Sequence, residues 1–191
     1  MMTKGRIVII SGPSGSGKTT LCSKVLSDSR FQGKLVRSIS ATTRPRRSNE
    51  EHGRDYLFMT PEEFQRQKRE GGFLESESVF GNSYGTPKKN IEDLLRRGVH
   101  VVLAIDVKGA KTVVKQYPDA LKIFIQAPSL DVLEKRLTGR ASENKDDQGT
   151  RLKTARQEMT EAKNYQYTVI NDDLAKAYQH LTEILSKELG L

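Results

Sequence analysis

The sequence predicts an α/β fold whose central sheet is mostly parallel. The apolar runs "RIVII", "VVLAID" and "LKIFIQA" are continuous rather than alternating, as in strands that are buried on both faces. A stretch with helical spacing follows each run, which is the order of βα units. The length of 191 residues suits one domain, or one domain with inserted lobes.

Four strand–helix pairs are predicted in order along the chain. They are Arg6–Ile10 with Leu21–Leu26, Val99–Asp106 with Gly109–Tyr117, Leu121–Gln126 with Leu130–Leu137, and Thr168–Asn171 with Leu174–Leu189. In the last helix, apolar residues recur at helical spacing, which indicates a face that packs on the sheet. That face consists of Leu174, Ala177, Tyr178, Leu181, Ile184, Leu185 and Leu189.

The pattern changes between residues 39 and 86, where the segments are shorter and only one helix is predicted. A capping box opens this helix: Thr60 is the N-cap, Pro61 is the first helical residue and Glu63 is the third residue after the cap. Short strands such as "DYLFM" and "FLESESVFG" surround it. This stretch is therefore predicted to form a small inserted lobe.

A polar segment without periodicity follows the third strand–helix pair. Such a connection, "TGRASENKDDQGTR" here, is typical of a lid or a solvated loop. The expected division of the single domain is a core of about 1–36, 98–137 and 152–191, a lobe of about 37–97 and a lid of about 138–151.

The composition restricts which classes of partner and which cellular compartment are expected. The 32 basic and 24 acidic side chains give a net charge of +8, which fits nucleic acid, a membrane surface or phosphorylated small molecules. The basic residues do not form one tail and the aromatic residues form no regular ladder, so small phosphorylated ligands are expected rather than nucleic acid. No apolar segment approaches the roughly 20 residues that span a bilayer, and the start of the chain does not resemble a signal peptide. A cytoplasmic protein without a membrane partner is therefore expected.

Cys22 is the only cysteine of the chain. A single cysteine excludes an internal disulfide and a zinc site made of cysteines. We expect Cys22 to be a small residue of the core.

The segment "GPSGSGKTT" matches the phosphate-binding pattern G-x-x-x-x-G-K-[ST] at Gly12, Gly17, Lys18 and Thr19. It follows a predicted strand and precedes a predicted helix, as the pattern requires. The glycines allow backbone N–H groups to curl around an anion, and the helix adds its positive end. Lys18 is expected to reach the β- and γ-phosphates of a nucleoside triphosphate, and the Thr19 hydroxyl to ligate Mg²⁺. The alternative is a glycine-rich turn that binds no ligand.

Five further segments identify a family. They are "SISATTRPRR" at 38–47, "GRDY" at 53–56, "FLES" at 73–76, "GNSYGT" at 81–86 and "INDDL" at 170–174. Together with "GPSGSGKTT", in this order and at this spacing, the segments resemble guanylate kinase from Gly5 to about Leu185. The resemblance implies the P-loop nucleoside monophosphate kinase fold, with a GMP-binding lobe and a lid. It also implies transfer of a phosphoryl group from ATP, with Mg²⁺, to GMP or dGMP, which gives ADP and GDP or dGDP.

The resemblance assigns roles to individual residues. Arg44, Arg47 and Tyr56 would hold the phosphate of GMP, and Ser40, Glu75, Tyr84 and Thr86 would line its base site. The ATP site would comprise Gly12, Pro13, Ser14, Gly15, Ser16, Gly17, Lys18, Thr19, Thr20 and Asn171. Lys18, Arg44, Arg140 and Arg151 would surround the transferring phosphoryl group.

The chemistry of these residue types supports the assignments. Guanidinium groups bind phosphate oxygens bidentately, and a tyrosine hydroxyl adds a neutral donor. One carboxylate can accept both the N1–H and the N2 amine of guanine, so Glu75 suits this base, whereas adenine lacks that donor pair. The hydroxyls of Ser40 and Thr86 could donate to the guanine O6. The acceptor is an anionic phosphate oxygen, so positioning and charge neutralisation are expected to supply most of the rate, without a general base.

Asp106 has three possible roles. The resemblance assigns it to the water shell of the metal or to the guanine, and the sequence alone also allows it to cap the helix that begins near Val107. Two neighbours depart from the family pattern, because Ala104 replaces an acid and Lys108 replaces a glutamine. Pro45 is also shifted by one position, so Arg46 competes with Arg47 as the expected phosphate ligand.

Simpler interpretations remain for single residues and for the whole chain. The basic cluster around Arg44 could be a solvated loop or a nucleic-acid contact, Glu75 could face solvent, and Tyr56 and Tyr84 could be ordinary strand residues. The chain could be a non-catalytic guanylate-kinase-like interaction module, a kinase for another nucleoside monophosphate, or an RNA-binding protein. An intact phosphate loop disfavours the module, and the base-site residues disfavour the other kinases. The sequence leaves the oligomeric state open.

Overall fold

The computed structural model describes residues 4–79, 81–89, 91–138 and 153–191. Its strands are β1 Ile7–Ser11, β2 Leu35–Arg37, β3 Ala41–Thr42, β4 Leu57–Phe58, β5 Phe73–Val79, β6 Asn82–Pro87, β7 His100–Ala104, β8 Leu121–Gln126 and β9 Tyr167–Ile170. Its helices are α1 Lys18–Leu26, α2 Pro61–Arg69, α3 Ile91–Arg96, α4 Val107–Gln116, α5 Leu130–Thr138, α6, which includes 153–159, and α7 Leu174–Leu189. Short 3₁₀ helices cover Ser29–Phe31 and Thr160–Asn164.

The central sheet has five parallel strands in the order β2-β7-β1-β8-β9. This arrangement confirms the predicted α/β class. β8 and α7 have the predicted bounds, whereas β1 lies one residue later than predicted. β7 ends at Ala104, two residues before Asp106, because the Asp106 side chain caps the following helix instead of continuing the strand.

Apolar residues cover both faces of the central sheet. Alternate residues of β1 point to opposite faces, so Val8 and Ile10 pack with α1 and α7, while Ile7 and Ile9 pack with α3 and α4. This two-sided burial explains why the strands read as continuous apolar runs. Cys22 lies in the first of these clusters and is buried, as predicted.

The predicted face of the last helix packs on the sheet except at its first residue. Ala177, Leu181, Ile184 and Leu185 are buried, and Tyr178 and Leu189 pack against the same cluster. Leu174 is 40% exposed, because it is the first helical residue after the N-cap Asp173 and lies at the edge of the packed face. No helix within the described ranges is long and apolar enough to cross a membrane.

A second sheet of four strands, in the order β4-β3-β6-β5, forms between the first and second βα units. β5 and β6 are an antiparallel hairpin. The capping box of α2 is confirmed: the Glu63 N–H donates to Thr60 Oγ1 at 3.2 Å, and the Thr60 N–H donates to Glu63 Oε2 at 2.9 Å. Phe64 of α2 is buried and stacks on Phe73 of β5, with 4.6 Å between the ring centroids.

One helix of the core supports the hairpin of the second sheet. The Gln116 side-chain amide of α4 donates to the Leu74 carbonyl of β5 at 2.8 Å. α4 therefore contacts both the central sheet and the hairpin, and its N-terminus lies where the candidate site is found. The division into core, lobe and lid stays a prediction.

Candidate functional site

Residues 12–17, here called the phosphate loop, connect β1 to α1, and two of its glycines are required by close contacts. A Cβ atom on Gly12, where φ is +142°, would lie 2.1 Å from the Ile125 carbonyl oxygen of β8. A Cβ atom on Gly17, where φ is +91°, would lie 2.1 Å from Nδ2 of Asn171. Both φ values also disfavour a side chain. The loop therefore depends on glycine for its backbone path and for its fit against β8 and Asn171.

Asn171 holds the phosphate loop from the end of β9. Its Nδ2 atom donates to the Ser16 carbonyl at 2.8 Å, and its backbone N–H donates to the Gln126 carbonyl at 2.8 Å. The Arg136 guanidinium donates to the Asn171 carbonyl at 3.0 Å. Asn171 is 6% exposed, and these contacts give it a supporting role beside its predicted contact with ATP.

The Lys18 ammonium lies across the phosphate loop. Its Nζ atom donates to the Gly12 carbonyl at 2.5 Å and to the Pro13 carbonyl at 2.9 Å. Pro13 and Ser16 are buried, so the loop offers its backbone rather than these side chains. Ser14 and Gly15 are half-buried, and Thr19 and Thr20, in the first turn of α1, are exposed. The predicted ATP residues thus lie together on one loop and one helix start.

Sequence reasoning missed Glu158, a half-buried residue of α6 near the phosphate loop. Burial raises the pKa of the Glu158 carboxyl to about 7, and the charge of Asp106 raises it further, while Lys18, the Ser14 backbone N–H and Lys108 act in the opposite direction. The only sequence signal is helical spacing, since Ala155 is buried and lies three residues earlier on the same helix.

The predicted base-site pair meets across the hairpin of the second sheet. Glu75 of β5 lies opposite Thr86 of β6, and the Thr86 hydroxyl donates a short hydrogen bond to Glu75 Oε1. Glu75 is 7% exposed and Thr86 is fully buried, so the alternative of a solvent-facing Glu75 is wrong. Burial raises the pKa of the Glu75 carboxyl to about 7, against the Thr86 hydrogen bond, and the Asp106 carboxylate contributes.

Gly109 lets the Glu75 carboxylate lie against the first turn of α4. A Cβ atom at this position would lie 2.8 Å from Glu75 Oε2. The same turn is capped by Asp106, whose Oδ1 accepts the Gly109 N–H at 2.8 Å, so the capping role considered from the sequence is confirmed. The charge of Asp106 raises the pKa of Glu75 and also that of Glu158. Asp106 therefore lies within electrostatic reach of both the base-site pair and the phosphate-loop neighbourhood.

Arg44, Tyr56 and Tyr84 form a second group, here called the arginine–tyrosine cluster. The Arg44 Cζ atom lies 5.6 Å from the Tyr56 ring centroid, and the Tyr56 and Tyr84 centroids are 6.1 Å apart. Burial raises the pKa of Tyr56, so its hydroxyl stays a neutral donor. Tyr84 thus lies with the predicted phosphate ligands rather than beside Glu75; its β6 register places it opposite Glu77.

The remaining predicted residues are more dispersed. Ser40 is half-buried just before β3, and its carbonyl accepts the Leu57 N–H at 2.9 Å. Arg46 and Arg47 are exposed. Arg140, Arg151 and almost all of the predicted lid lie outside the described residues.

The sequence interpretation also missed the partner of Arg44. Glu50 binds the Arg44 guanidinium through both carboxylate oxygens, with Nη2 at 2.6 Å from Oε1 and 2.9 Å from Oε2. An acid six residues after the first arginine of a basic loop was the available signal, but spacing in an irregular segment does not identify a contact.

Comparison with known proteins identifies the family of the chain. A family model described as guanylate kinase matches residues 4–188. The chain belongs to the guanylate kinase family. A guanylate kinase from Rubrobacter xylanophilus is 44% identical over 186 residues, which cover 97% of this chain and 96% of the relative. A second, from Clostridium acetobutylicum, is 41% identical over 188 residues, which cover 98% and 88% of the two chains.

A solved structure extends the agreement to the fold. The crystal structure of guanylate kinase from Anaplasma phagocytophilum matches with a TM-score of 0.82 at 34% identity, and the match covers 98% of this chain and 87% of that chain. The family resemblance and the P-loop nucleoside monophosphate kinase fold are therefore confirmed.

Proposed function

We propose that this member of the guanylate kinase family transfers the γ-phosphoryl group of ATP to GMP or dGMP, giving ADP and GDP or dGDP. The observation that carries the proposal is the buried Glu75–Thr86 pair beside Asp106, in the same chain as an intact phosphate loop. A loop alone fits many nucleotide-binding proteins. A buried carboxylate beside the N-terminus of α4 adds a site for a base with two adjacent donors.

The phosphate loop is the proposed donor site. Its backbone N–H groups and the N-terminus of α1 would bind the phosphates of ATP. The Lys18 ammonium would exchange its present loop carbonyls for the β- and γ-phosphate oxygens. Asn171 would keep the loop in this conformation, in addition to its predicted place in the ATP site.

The donor atoms present also fit Mg²⁺. This ion prefers hard oxygen ligands and usually keeps several waters while it binds one or two carboxylates and the substrate phosphates. The exposed Thr19 hydroxyl and the Asp106 carboxylate supply such oxygens, and the described residues form no dedicated cage of acidic, histidine or cysteine ligands. When bound, Mg²⁺ would offset the negative charge of the ATP phosphates. Asp106 uses Oδ1 as a helix cap, so Oδ2 is proposed for a metal-bound water or for the guanine amine.

The hairpin of β5 and β6 is the proposed base site. An ionised Glu75 would accept the N1–H and N2 amine protons of guanine, and Ser40 would donate to O6. Thr86 could donate to O6 only by giving up its hydrogen bond to Glu75 Oε1. A base without this donor pair would leave the buried Glu75 carboxylate with Thr86 as its donor and no partner from the base, which costs more than the lost contact itself. The proposed selectivity for guanine therefore rests on the burial of Glu75.

The arginine–tyrosine cluster, with Arg47, is the proposed site of the GMP phosphate. That phosphate is already anionic, so the protein's contribution is to align two negatively charged groups and to offset their charge. Lys18 would offset the charge of the ATP phosphates, and Arg44 would offset the charge of the GMP phosphate. Arg140 and Arg151, both in the predicted lid, would complete the charge neutralisation and exclude water upon closure.

A non-catalytic interaction module is the less favoured function, because the phosphate loop retains its glycines, Lys18 and Thr19. We further propose ATP, GMP and dGMP as the partners, without nucleic acid or membrane, and the cytoplasm as the location. The bacterial relatives support this proposal.

The test is a coupled assay of ADP formation with ATP, Mg²⁺ and, in turn, GMP, dGMP, AMP, UMP and CMP. We expect turnover with the guanine nucleotides only, abolished by Lys18→Ala and reduced about 100-fold in kcat/KM for GMP by Glu75→Ala. Glu62→Ala, an exposed acid at the start of α2, is the control. Turnover with another monophosphate would contradict the base site, and the absence of turnover with all of them would support the interaction module.

A further inference from the structure

Glu50 contacts two of the predicted phosphate ligands, Arg44 and Arg47, and is not itself a predicted ligand. Its Oε1 and Oε2 atoms accept from Nη2 of Arg44 at 2.6 and 2.9 Å. The two side chains are only 15% and 13% exposed, so this ion pair is largely shielded from water. A charge-assisted pair of this kind defines a geometry for the guanidinium, and loss of one partner leaves a shielded charge without compensation.

The same carboxylate also fixes the backbone of the basic loop. Glu50 Oε2 accepts the Arg47 N–H at 3.0 Å, and the Glu50 N–H donates to the Arg47 carbonyl at 3.1 Å. The second terminal nitrogen of the Arg44 guanidinium, Nη1, donates to the Pro45 carbonyl of the same loop at 2.7 Å. One carboxylate therefore connects the two arginines that the sequence assigns to a single phosphate.

Aromatic residues in and beside strand β4 of the second sheet also contact Arg44. Its guanidinium lies over the rings of Tyr56 and Phe58, at 5.6 and 5.9 Å from their centroids. The hydrogen bonds of Arg44 to Pro45 and Glu50 use the Nη1 and Nη2 groups, and a guanidinium carries five N–H donors in a fixed plane. Tyr84 also hydrogen-bonds the guanidinium. The plane is therefore fixed by Glu50, Tyr84 and the rings, and a donor is retained for a phosphate.

We propose that Glu50 is a positioning residue for the acceptor phosphate: it orients the Arg44 guanidinium and the Arg47 backbone before GMP binds. The opposite effect, in which Glu50 competes with the phosphate for Arg44, is the outcome that would overturn the proposal. Positioning is favoured because a half-buried guanidinium without a carboxylate would turn towards solvent, and a phosphate would then have to restore its geometry. The inference rests on the proposed function, since it takes GMP as the acceptor.

The experiment compares Glu50→Gln with the control Glu51→Gln, which removes the same charge from an exposed pair with Arg54. Calorimetry measures the binding of GMP and of guanosine, which lacks the phosphate. We expect Glu50→Gln to weaken GMP binding about tenfold, in line with one charge-assisted hydrogen bond, and to leave guanosine binding and the KM for ATP within about twofold. Unchanged or tighter GMP binding would overturn the proposal.

A double-variant cycle separates positioning from a general loss of structure. If Glu50 acts through Arg44, Glu50→Gln should weaken GMP binding by less than about threefold in an Arg44→Ala background. A full tenfold effect in that background would show that Glu50 acts elsewhere. Should Glu50→Gln fail to fold, Glu50→Asp, which keeps the charge at a shorter reach, serves in the same cycle. Failure of the parent protein to bind GMP at all would instead contradict the proposed function.

Discussion

The donor and acceptor halves of the site are built in different ways. The phosphate loop is shaped mainly by its backbone: glycines with positive φ fit against β8 and Asn171, and each of its residues is buried or half-buried. The acceptor half is shaped by ionised and polar side chains that hold one another, as in the pairs Glu75–Thr86 and Arg44–Glu50.

This difference determines how each half should respond to change. The backbone of the phosphate loop fits its surroundings in one conformation, so an added methyl group is expected to prevent ATP binding. ATP binding should depend little on pH, because the fit involves no titrating side chain. A set of buried charged groups is expected to respond in steps, to the loss of one partner and to protonation. The following predictions test that contrast.

The largest effect is expected from Gly12→Ala. The new Cβ atom would overlap the Ile125 carbonyl oxygen of β8, which is backbone and cannot move without shifting the strand. We expect kcat/KM for ATP to fall at least 100-fold, because displacement of catalytic groups by about 1 Å has effects of this size. Steady-state kinetics with ATP varied at saturating GMP measures the change.

Gly33→Ala is the matched control for this substitution. Gly33 has a φ of +74°, and no atom lies within 4 Å of the position that a Cβ atom would occupy, so only the backbone strain of about 1–2 kcal/mol is added. Near-normal activity in both variants would show that the phosphate loop adapts, and the contrast between the halves would then fail.

A smaller effect, about tenfold, is expected from pH on the acceptor half. Burial, with the nearby Asp106 charge, raises the pKa of Glu75 to about 7, and only the ionised form accepts both guanine protons. The ionised fraction therefore rises about tenfold between pH 6 and pH 8. We expect the KM for GMP to fall by that factor over this range, while the KM for ATP changes by less than about threefold.

Glu75→Gln provides the control, because GMP also titrates on its own phosphate near pH 6. The variant keeps the titration of the substrate and loses that of the carboxylate, so its profile should be flatter than that of the parent protein. Identical profiles would contradict the assignment. A higher pH should favour GMP binding but lower the stability of the fold. The folded state binds the Glu75 proton more tightly than the unfolded chain does, so the contribution of Glu75 to the free energy of unfolding falls as pH rises from about 4.5 to 7.

The donor half was largely predictable from the sequence because its signals are local. The loop, its lysine and the first turn of the following helix occupy nine consecutive residues, 12–20, and the periodicity of α7 and the run of β8 gave their bounds. Tertiary contacts explain what local patterns could not reveal, such as the close fit of Gly12 to β8 and the support from Asn171, which lies 155 positions from Ser16.

The acceptor half required the family resemblance, because its residues come from short strands and an irregular loop. Thr86 and Glu75 lie eleven positions apart, and a register irregularity between Phe73 and Glu75 hides which side chains face each other. Glu50 was missed for a related reason, because a loop has no period from which a contact with Arg44 could be inferred. Tyr84 was assigned to the base site but groups with Tyr56, since the hairpin register places it two pairs beyond Thr86.

The smallest effect is expected from Asn171→Ala, and it tests whether the phosphate loop keeps its shape through its own backbone. The substitution removes the hydrogen bond to the Ser16 carbonyl, and the net worth of one such bond, about 1 kcal/mol, corresponds to about a fivefold rise in the KM for ATP. A supporting residue should affect ATP and GTP as donors by the same factor, whereas a residue that contacts the adenine should change their ratio. Kinetics with both donors decides between these roles, and Asn164→Ala, on the exposed 3₁₀ helix Thr160–Asn164, is the control. A loss as large as that of Gly12→Ala would mean that side chains, and not glycine geometry alone, shape the donor half.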